Sequence, residues 1–141
     1  MGISHMFWID FDGNCREAME FYASILQINP GGIKTYGELP PESREQFPFP
    51  DSYAGKVAVS DLQIGGEQIH FSDRLPSDAP FVAGNNITLQ LFVEGIEETR
   101  RVFDELKAGG DVTMELQSTF YCKLCGSVTD KFGLNWHIMC S

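Results

Sequence analysis

Asp12-Gly13-Asn14-Cys15-Arg16-Glu17-Ala18-Met19-Glu20-Phe21 and Glu94-Gly95-Ile96-Glu97-Glu98-Thr99-Arg100-Arg101-Val102-Phe103 read as one passage written twice. In each, a glycine closes an aromatic-rich stretch and an amphipathic run comes next. Setting Gly13 on Gly95 brings Phe21 onto Phe103 without a gap. Upstream lie two alternating segments that read as strands, Met6 to Phe11 and Asn86 to Val93. Asp12-Gly13-Asn14 is turn chemistry that can cap a helix. Apolar residues at 15, 18, 19, 22, 25 and 26 then keep a 3.6-residue period, which predicts a helix over Cys15 to Leu26. Its counterpart spans Glu97 to Ala108 and is stopped by Gly109-Gly110.

Three strands succeed each helix. In the first half they are Ile33 to Glu38, Lys56 to Ile64 and Glu67 to Asp73, the last two joined at Gly65-Gly66. Residues 39 to 55, with four prolines and with Phe47 and Phe49, read as a long surface loop. Loops of that length in compact domains are often lids or partner contacts. In the second half the strands fall near 111 to 117, 121 to 129 and 134 to 140, with Asp130-Lys131-Phe132-Gly133 as the last turn. The expected fold class is therefore α+β, with β-α-β-β-β stated twice. One domain of two modules, about 1–74 and 85–141, is joined by a linker at 75–84. A repeat of half the chain points to paired modules and not to a solenoid. Pairing them would bury sheet edges and leave a concave centre.

The chain has 141 residues and carries 20 acids against 10 bases, a net charge of −10. Such a surface repels phosphate backbones, and no Lys/Arg stripe interrupts it, which weighs against nucleic acid and anionic membrane as partners. No apolar run reaches membrane-spanning length, and no basic-then-apolar leader opens the sequence. Four cysteines without a leader suggest free thiols and a cytoplasmic setting. Cys122 and Cys125 have C-x2-C spacing, but no second pair is present to complete a zinc site. They also sit in a strand pattern and not at a helix start, so the expectation is two packed thiols.

Ile69-His70-Phe71 and Trp136-His137-Ile138 close the last strands of the two halves. Both histidines have apolar neighbours, so alternation turns both imidazoles to the opposite face. They are expected to line one cavity between the halves. By the same count Phe7, Ile9 and Phe11 pack on the helix, leaving Met6, Trp8 and Asp10 inward. In the second module Asn86, Thr88, Gln90 and Phe92 point inward. Trp8, Phe92, Phe120 and Tyr121 then form a candidate aromatic wall, with Asp10 and Gln90 as polar ligand contacts. His5 has the wrong parity unless a bulge shifts it.

With Asp12-Gly13-Asn14-Cys15-Arg16-Glu17-Ala18, Phe21-Tyr22, Ile64-Gly65-Gly66, Ser72-Asp73, Gly84-Asn85-Asn86-Ile87 and Val128-Thr129-Asp130-Lys131-Phe132-Gly133 in view, the chain resembles the vicinal oxygen chelate superfamily. That superfamily includes glyoxalase I, bleomycin-resistance proteins and extradiol dioxygenases. Within it the chain is similar to the PhnB-like branch, and the shared segments span nearly its whole length. The resemblance implies a homodimer. It also implies ligands drawn from the first and last strands of each module in metal-using relatives. Carried over, these positions are His70 and His137, with Asp10 or Gln90 and water beside them, for a divalent zinc, nickel, manganese or iron. That set is smaller than the three protein groups plus water of a typical catalytic zinc.

Three functions stay open: binding a small organic molecule in the cavity without chemistry, a metal-dependent lyase, isomerase or dioxygenase, and a non-catalytic assembly module. Incomplete ligation places the binding function first. Some PhnB-like relatives carry a ubiquinone-methyltransferase label. The sequence has no Gly-rich strand-to-helix turn in a βαβ unit to hold an adenosyl cofactor, so methyl transfer is not expected.

Overall fold

A computed structural model, which describes residues 2–141, divides into two units between Phe81 and Val82. In the first unit β1 (Phe7–Phe11) leads into α1 (Cys15–Leu26), followed by β2 (Lys34–Thr35), α2 (Pro41–Gln46), β3 (Val57–Ile64) and β4 (Glu67–Asp73). In the second, β5 (Leu89–Val93) leads into α3 (Ile96–Lys107), then β6 (Asp111–Thr119), β7 (Cys122–Thr129) and β8 (Asn135–Cys140). The sheets run β1-β4-β3-β2 and β5-β8-β7-β6, with β1 parallel to β4 and β5 parallel to β8. A parallel pair needs a long crossover connection. The chain from β1 to β4 and from β5 to β8 supplies it, so the βαβββ order expected from the repeat is the one observed.

Each long helix, α1 and α3, packs on one face of its own sheet. α1 buries Cys15, Ala18, Met19, Tyr22, Ala23 and Ile25. Its Tyr22 ring lies 6.1 Å from that of Phe71, which in turn lies 5.8 Å from Phe11. In the second unit α3 buries Val102, Phe103 and Leu106 and packs on β7 and β8, where Val128, Trp136 and Ile138 are buried. Each such side chain contributes roughly 1.5–3 kcal/mol by leaving water.

One buried aspartate organises each unit. Asp73 ends β4, and its two carboxylate oxygens accept the Cys15 and Val57 amides, each at 2.9 Å. It thereby caps α1 and ties it to the start of β3, and its negative charge suits a helix N-terminus. Asp130 accepts the amides of Phe132 at 2.8 Å and Leu134 at 3.1 Å on one oxygen. Its other oxygen takes the indole N–H of Trp136 at 2.8 Å.

The structure differs from the sequence expectation at several places, and in β1 Phe7, expected to pack on the helix, is 47% exposed while Met6 lies ahead of the strand. Residues 39–55 are not a plain loop: they hold α2 and a 3-10 turn at Asp51–Tyr53. The segment is anchored by Phe49, whose buried ring lies 5.5 Å from Tyr36 and 4.4 Å beneath the Arg44 guanidinium. The strand expected over 33–38 is only Lys34–Thr35, because Glu38 accepts both the amide and the hydroxyl of Thr35 and bends the chain into a 3-10 turn. β5 begins at Leu89, so Asn86 and Thr88 lie ahead of the strand and not on its inward face. Asn135 holds that approach by donating to the carbonyls of Gly84 and Ile87, each at 3.1 Å. Among the described residues no helix is long and apolar enough to cross a membrane.

Candidate functional site

The sheet faces turned away from α1 and α3 carry the candidate residues. In the first unit the register sets Trp8 beside His70 and Asp10 beside Ser72, with Asp61 across from His70. Ile69 and Phe71 are buried while His70 is half-buried, so period-two alternation places the imidazole as expected. Trp8 donates its indole N–H to Ser72 Oγ at 2.7 Å, and Ser72 donates to Asp10 Oδ1 at 3.1 Å. Arg74 pairs with the other Asp10 oxygen at 3.5 Å. The His70 ring stands edge-on to Trp8 with centroids 6.5 Å apart. A relay therefore runs from indole to hydroxyl to carboxylate, and Asp10 is already engaged from two sides.

In the second unit Gln90 and Ser127 flank His137 in register, and Phe92 lies beside Met139. Ser127 Oγ is 2.7 Å from His137 Nδ1. That contact holds the ring through one nitrogen, and Nε2 remains the atom for an outside partner. Tyr121 stacks obliquely on the imidazole, 36° from parallel with centroids 6.5 Å apart. Phe120 and Tyr121 form the turn between β6 and β7 with their rings 5.1 Å apart. Trp8 is 69% exposed, Phe92 67%, Tyr121 51% and Phe120 100%, so the aromatic candidates are open to solvent.

Sequence reasoning missed Ser72, Arg74 and Ser127. For Ser127 a signal existed. The turn at 130–133 joins two strands antiparallel, and that register sets Ser127 opposite His137. For Ser72 and Arg74 none did, since β1 and β4 pair in parallel across about sixty residues and no tight turn fixes their register.

Hard or borderline divalent ions need several converging donors. Among the described residues no group of three or more His, Cys, Asp or Glu side chains is arranged to hold a metal. The first unit offers His70 near a carboxylate that Arg74 and Ser72 already occupy, and the second offers His137 with an amide neighbour. Taken singly, neither donor set fits a divalent ion.

Over residues 2–139 the chain matches the family model described as 3-demethylubiquinone-9 3-methyltransferase. It is 36% identical over 138 residues to Protein YjdN of Escherichia coli (strain K12), covering 93% of this chain and 90% of that protein. Protein PA1353 from Pseudomonas aeruginosa superposes with a TM-score of 0.83 at 28% identity, covering 99% of this chain and 98% of that one. A putative 3-demethylubiquinone-9 3-methyltransferase, PhnB protein, from Bacillus cereus gives a TM-score of 0.77 at 24% identity, covering 99% and 100%. A glyoxalase-related enzyme from Fulvimarina pelagi shares the fold with a TM-score of 0.58 at 14% identity, covering 99% and 89%.

Proposed function

This chain belongs to the PhnB-like family, the one described as 3-demethylubiquinone-9 3-methyltransferase, and from that premise we propose that it binds a small, planar, oxygen-bearing organic molecule on the helix-free face of a sheet within one unit. The observation that carries the proposal is the exposure of Trp8 and Phe92, each about two-thirds open, on the same faces as His70 and His137. Large aromatic rings left in water on a structured surface are candidates for contact with a partner. Aromatic faces stack planar ligands. The His137 imidazole, fixed at Nδ1 by Ser127, and the Gln90 amide beside it supply hydrogen bonds for carbonyl or hydroxyl oxygens. A homodimer belongs to the same proposal, because a second copy would cover apolar surface that a single chain leaves wet. Methyl transfer does not belong to it, and the methyltransferase description stays with the family model and the Bacillus cereus protein.

A thermal-shift screen of planar aromatic and dicarbonyl compounds tests the proposal, run on the wild type and on Trp8→Ala, Phe92→Ala and His137→Ala. A ligand at about 100 times its Kd adds roughly 2.7 kcal/mol to the folded state, a rise of several degrees in Tm. The expected hit loses its shift either in Trp8→Ala or in both Phe92→Ala and His137→Ala, according to which sheet holds it, while the ligand-free Tm of the variants stays near that of the wild type. Shifts that survive all three substitutions place the ligand elsewhere and end the proposal. Metal analysis of protein purified without chelator runs alongside. Stoichiometric divalent metal that is lost in the His70→Ala/His137→Ala double variant would replace binding alone with a metal-dependent lyase, isomerase or dioxygenase.

A further inference from the structure

We infer that Cys122 and Cys125 form a reversible dithiol–disulfide pair, oxidised by peroxides, at the hairpin that joins β6 to β7. In an unbroken strand residues three apart point to opposite faces and lie about 10 Å apart, which keeps their thiols from meeting. The register of β7 is not unbroken. Cys122 pairs with Thr119 and Cys125 with Gln117, so β7 advances three residues while β6 advances two. The extra residue is a β-bulge, and a bulge returns the second cysteine to the face of the first. Both thiols therefore share the face of Thr119, Ser127 and His137.

The side chains bear this out. Thr119 Oγ1 lies 3.2 Å from Cys122 Sγ and 3.9 Å from Cys125 Sγ, one hydroxyl between two sulfurs. The Cys125 thiol also donates to the Tyr121 hydroxyl at 3.7 Å. The pair is asymmetric: Cys122 is half-buried at the hairpin end and Cys125 is fully buried beneath it. Burial disfavours the Cys122 thiolate, but hydrogen bonds from Cys125, Thr119 and the backbone outweigh it and lower its pKa. Burial and the hydrogen bond to Cys122 both raise that of Cys125. Reactivity follows thiolate character and access, and both favour Cys122. Cys15 is buried, with its pKa pushed up to about 12 by that burial and by the Asp73 charge, and Cys140 is buried too.

The chemistry closes with a peroxide, ROOH, as oxidant. The Cys122 thiolate attacks the terminal peroxide oxygen, forming an S–O bond and breaking O–O, which leaves a sulfenic acid and an alkoxide. The alkoxide takes the Cys125 proton and departs as ROH. The Cys125 thiolate then attacks the Cys122 sulfur, forming S–S and expelling hydroxide. That hydroxide takes the proton Cys122 had given to solvent and leaves as water. Two thiols lose two electrons and the peroxide gains them. A thiol reductant reverses the change by exchange. The inference requires only the hairpin and stands apart from ligand binding on the sheet faces.

The full chain, treated with a small excess of hydrogen peroxide, unfolded, alkylated with N-ethylmaleimide and digested, tests the pair. The expected peptide holds Cys122 and Cys125 unlabelled and two hydrogens lighter, recovers both labels after dithiothreitol, and is accompanied by fully labelled Cys15 and Cys140. Cys125→Ser should stop at a Cys122 sulfenic acid that dimedone traps, and Cys122→Ser should slow peroxide consumption by about tenfold or more, as expected for loss of the thiolate. Full labelling of Cys122 and Cys125 in peroxide-treated wild type would overturn the inference. So would equal oxidation of all four cysteines, or a Cys122 sulfenic acid in the wild type that Cys125 never resolves.

Discussion

Asp130 carries more than the turn it sits in. Glycine at position 133, with φ of 92°, supplies the backbone freedom the bend needs, and from sequence that alone accounts for the Asp-Lys-Phe-Gly segment. Yet the buried Asp130 carboxylate also receives two amides and the Trp136 indole, and Trp136 is among the largest fully buried side chains. Asp130→Ala leaves three donors without their acceptor, and the expected cost is roughly 2–4 kcal/mol in urea unfolding. Asp130→Asn keeps one acceptor oxygen and should cost about half of that. A loss under about 1 kcal/mol for Asp130→Ala would mean that glycine geometry alone holds the turn. At this scale alternation was a good guide where both neighbours were strongly apolar. Ile69, Phe71, Trp136 and Ile138 are buried, and His70 and His137 turn the other way. It was silent on which polar atoms those imidazoles and carboxylates meet, because Ser72 and Asp10 belong to strands that no local turn brings into register.

Among the elements, α3 depends on a glycine that no helix or strand propensity would single out. A Cβ added at Gly126 would come within 2.7 Å of the Phe103 ring and 3.0 Å of the Met114 carbonyl oxygen. β7 is therefore bare where α3 seats its largest side chain, and close approach is what glycine in a strand allows. Gly126→Ala should cost about 1–3 kcal/mol by overpacking, and Gly126→Ala combined with Phe103→Leu should recover part of it. An additive double variant would show that the ring and the glycine do not oppose each other. Both long helices and all eight strands could be read from period and turn residues to within a few positions. The bulges could not. β6 and β7 change register three times, and nothing in Asp111 to Thr129 marks where. Counting alternation straight through therefore separates Cys122 from Cys125. α2 is hidden for a different reason: in sequence its prolines look like breakers, whereas Pro41 stands in the first turn of the helix, where its missing N–H costs nothing.

At the scale of the whole molecule, the thiol and the two phenols whose pKa values rise to about 12 all lie in the first unit. Cys15 is raised to about 12 by burial and the Asp73 charge, and Tyr36 and Tyr53 are raised to about 12 by burial and neighbouring aspartates. Tyr36 donates its hydroxyl to the Asp73 carbonyl at 2.7 Å, and Tyr53 donates to that of Arg74. All three therefore gather where β4 ends. Unfolding would return them toward ordinary values of 9.0 for the thiol and 10.0 for the phenols. Between those limits the native chain binds more protons than the unfolded one, so stability falls as pH rises. The contribution is whole below about pH 9 and is lost as pH climbs toward about 12. The net charge of −10 grows more negative over the same range and adds self-repulsion throughout the chain. Repulsion alone would weaken both units together, whereas the three strongly raised groups single out the first. Urea midpoints should be steady from neutral pH to about 9 and then decline. Amide exchange should accelerate first in α1, β3 and β4 and only later in α3, β7 and β8. Cys15→Ala should move the onset of the decline up toward the phenol range, and adding Tyr36→Phe should flatten it further. Exchange that accelerates equally in the two units, or first in the second, would assign alkaline unfolding to net charge and leave the groups around β4 without a part in it.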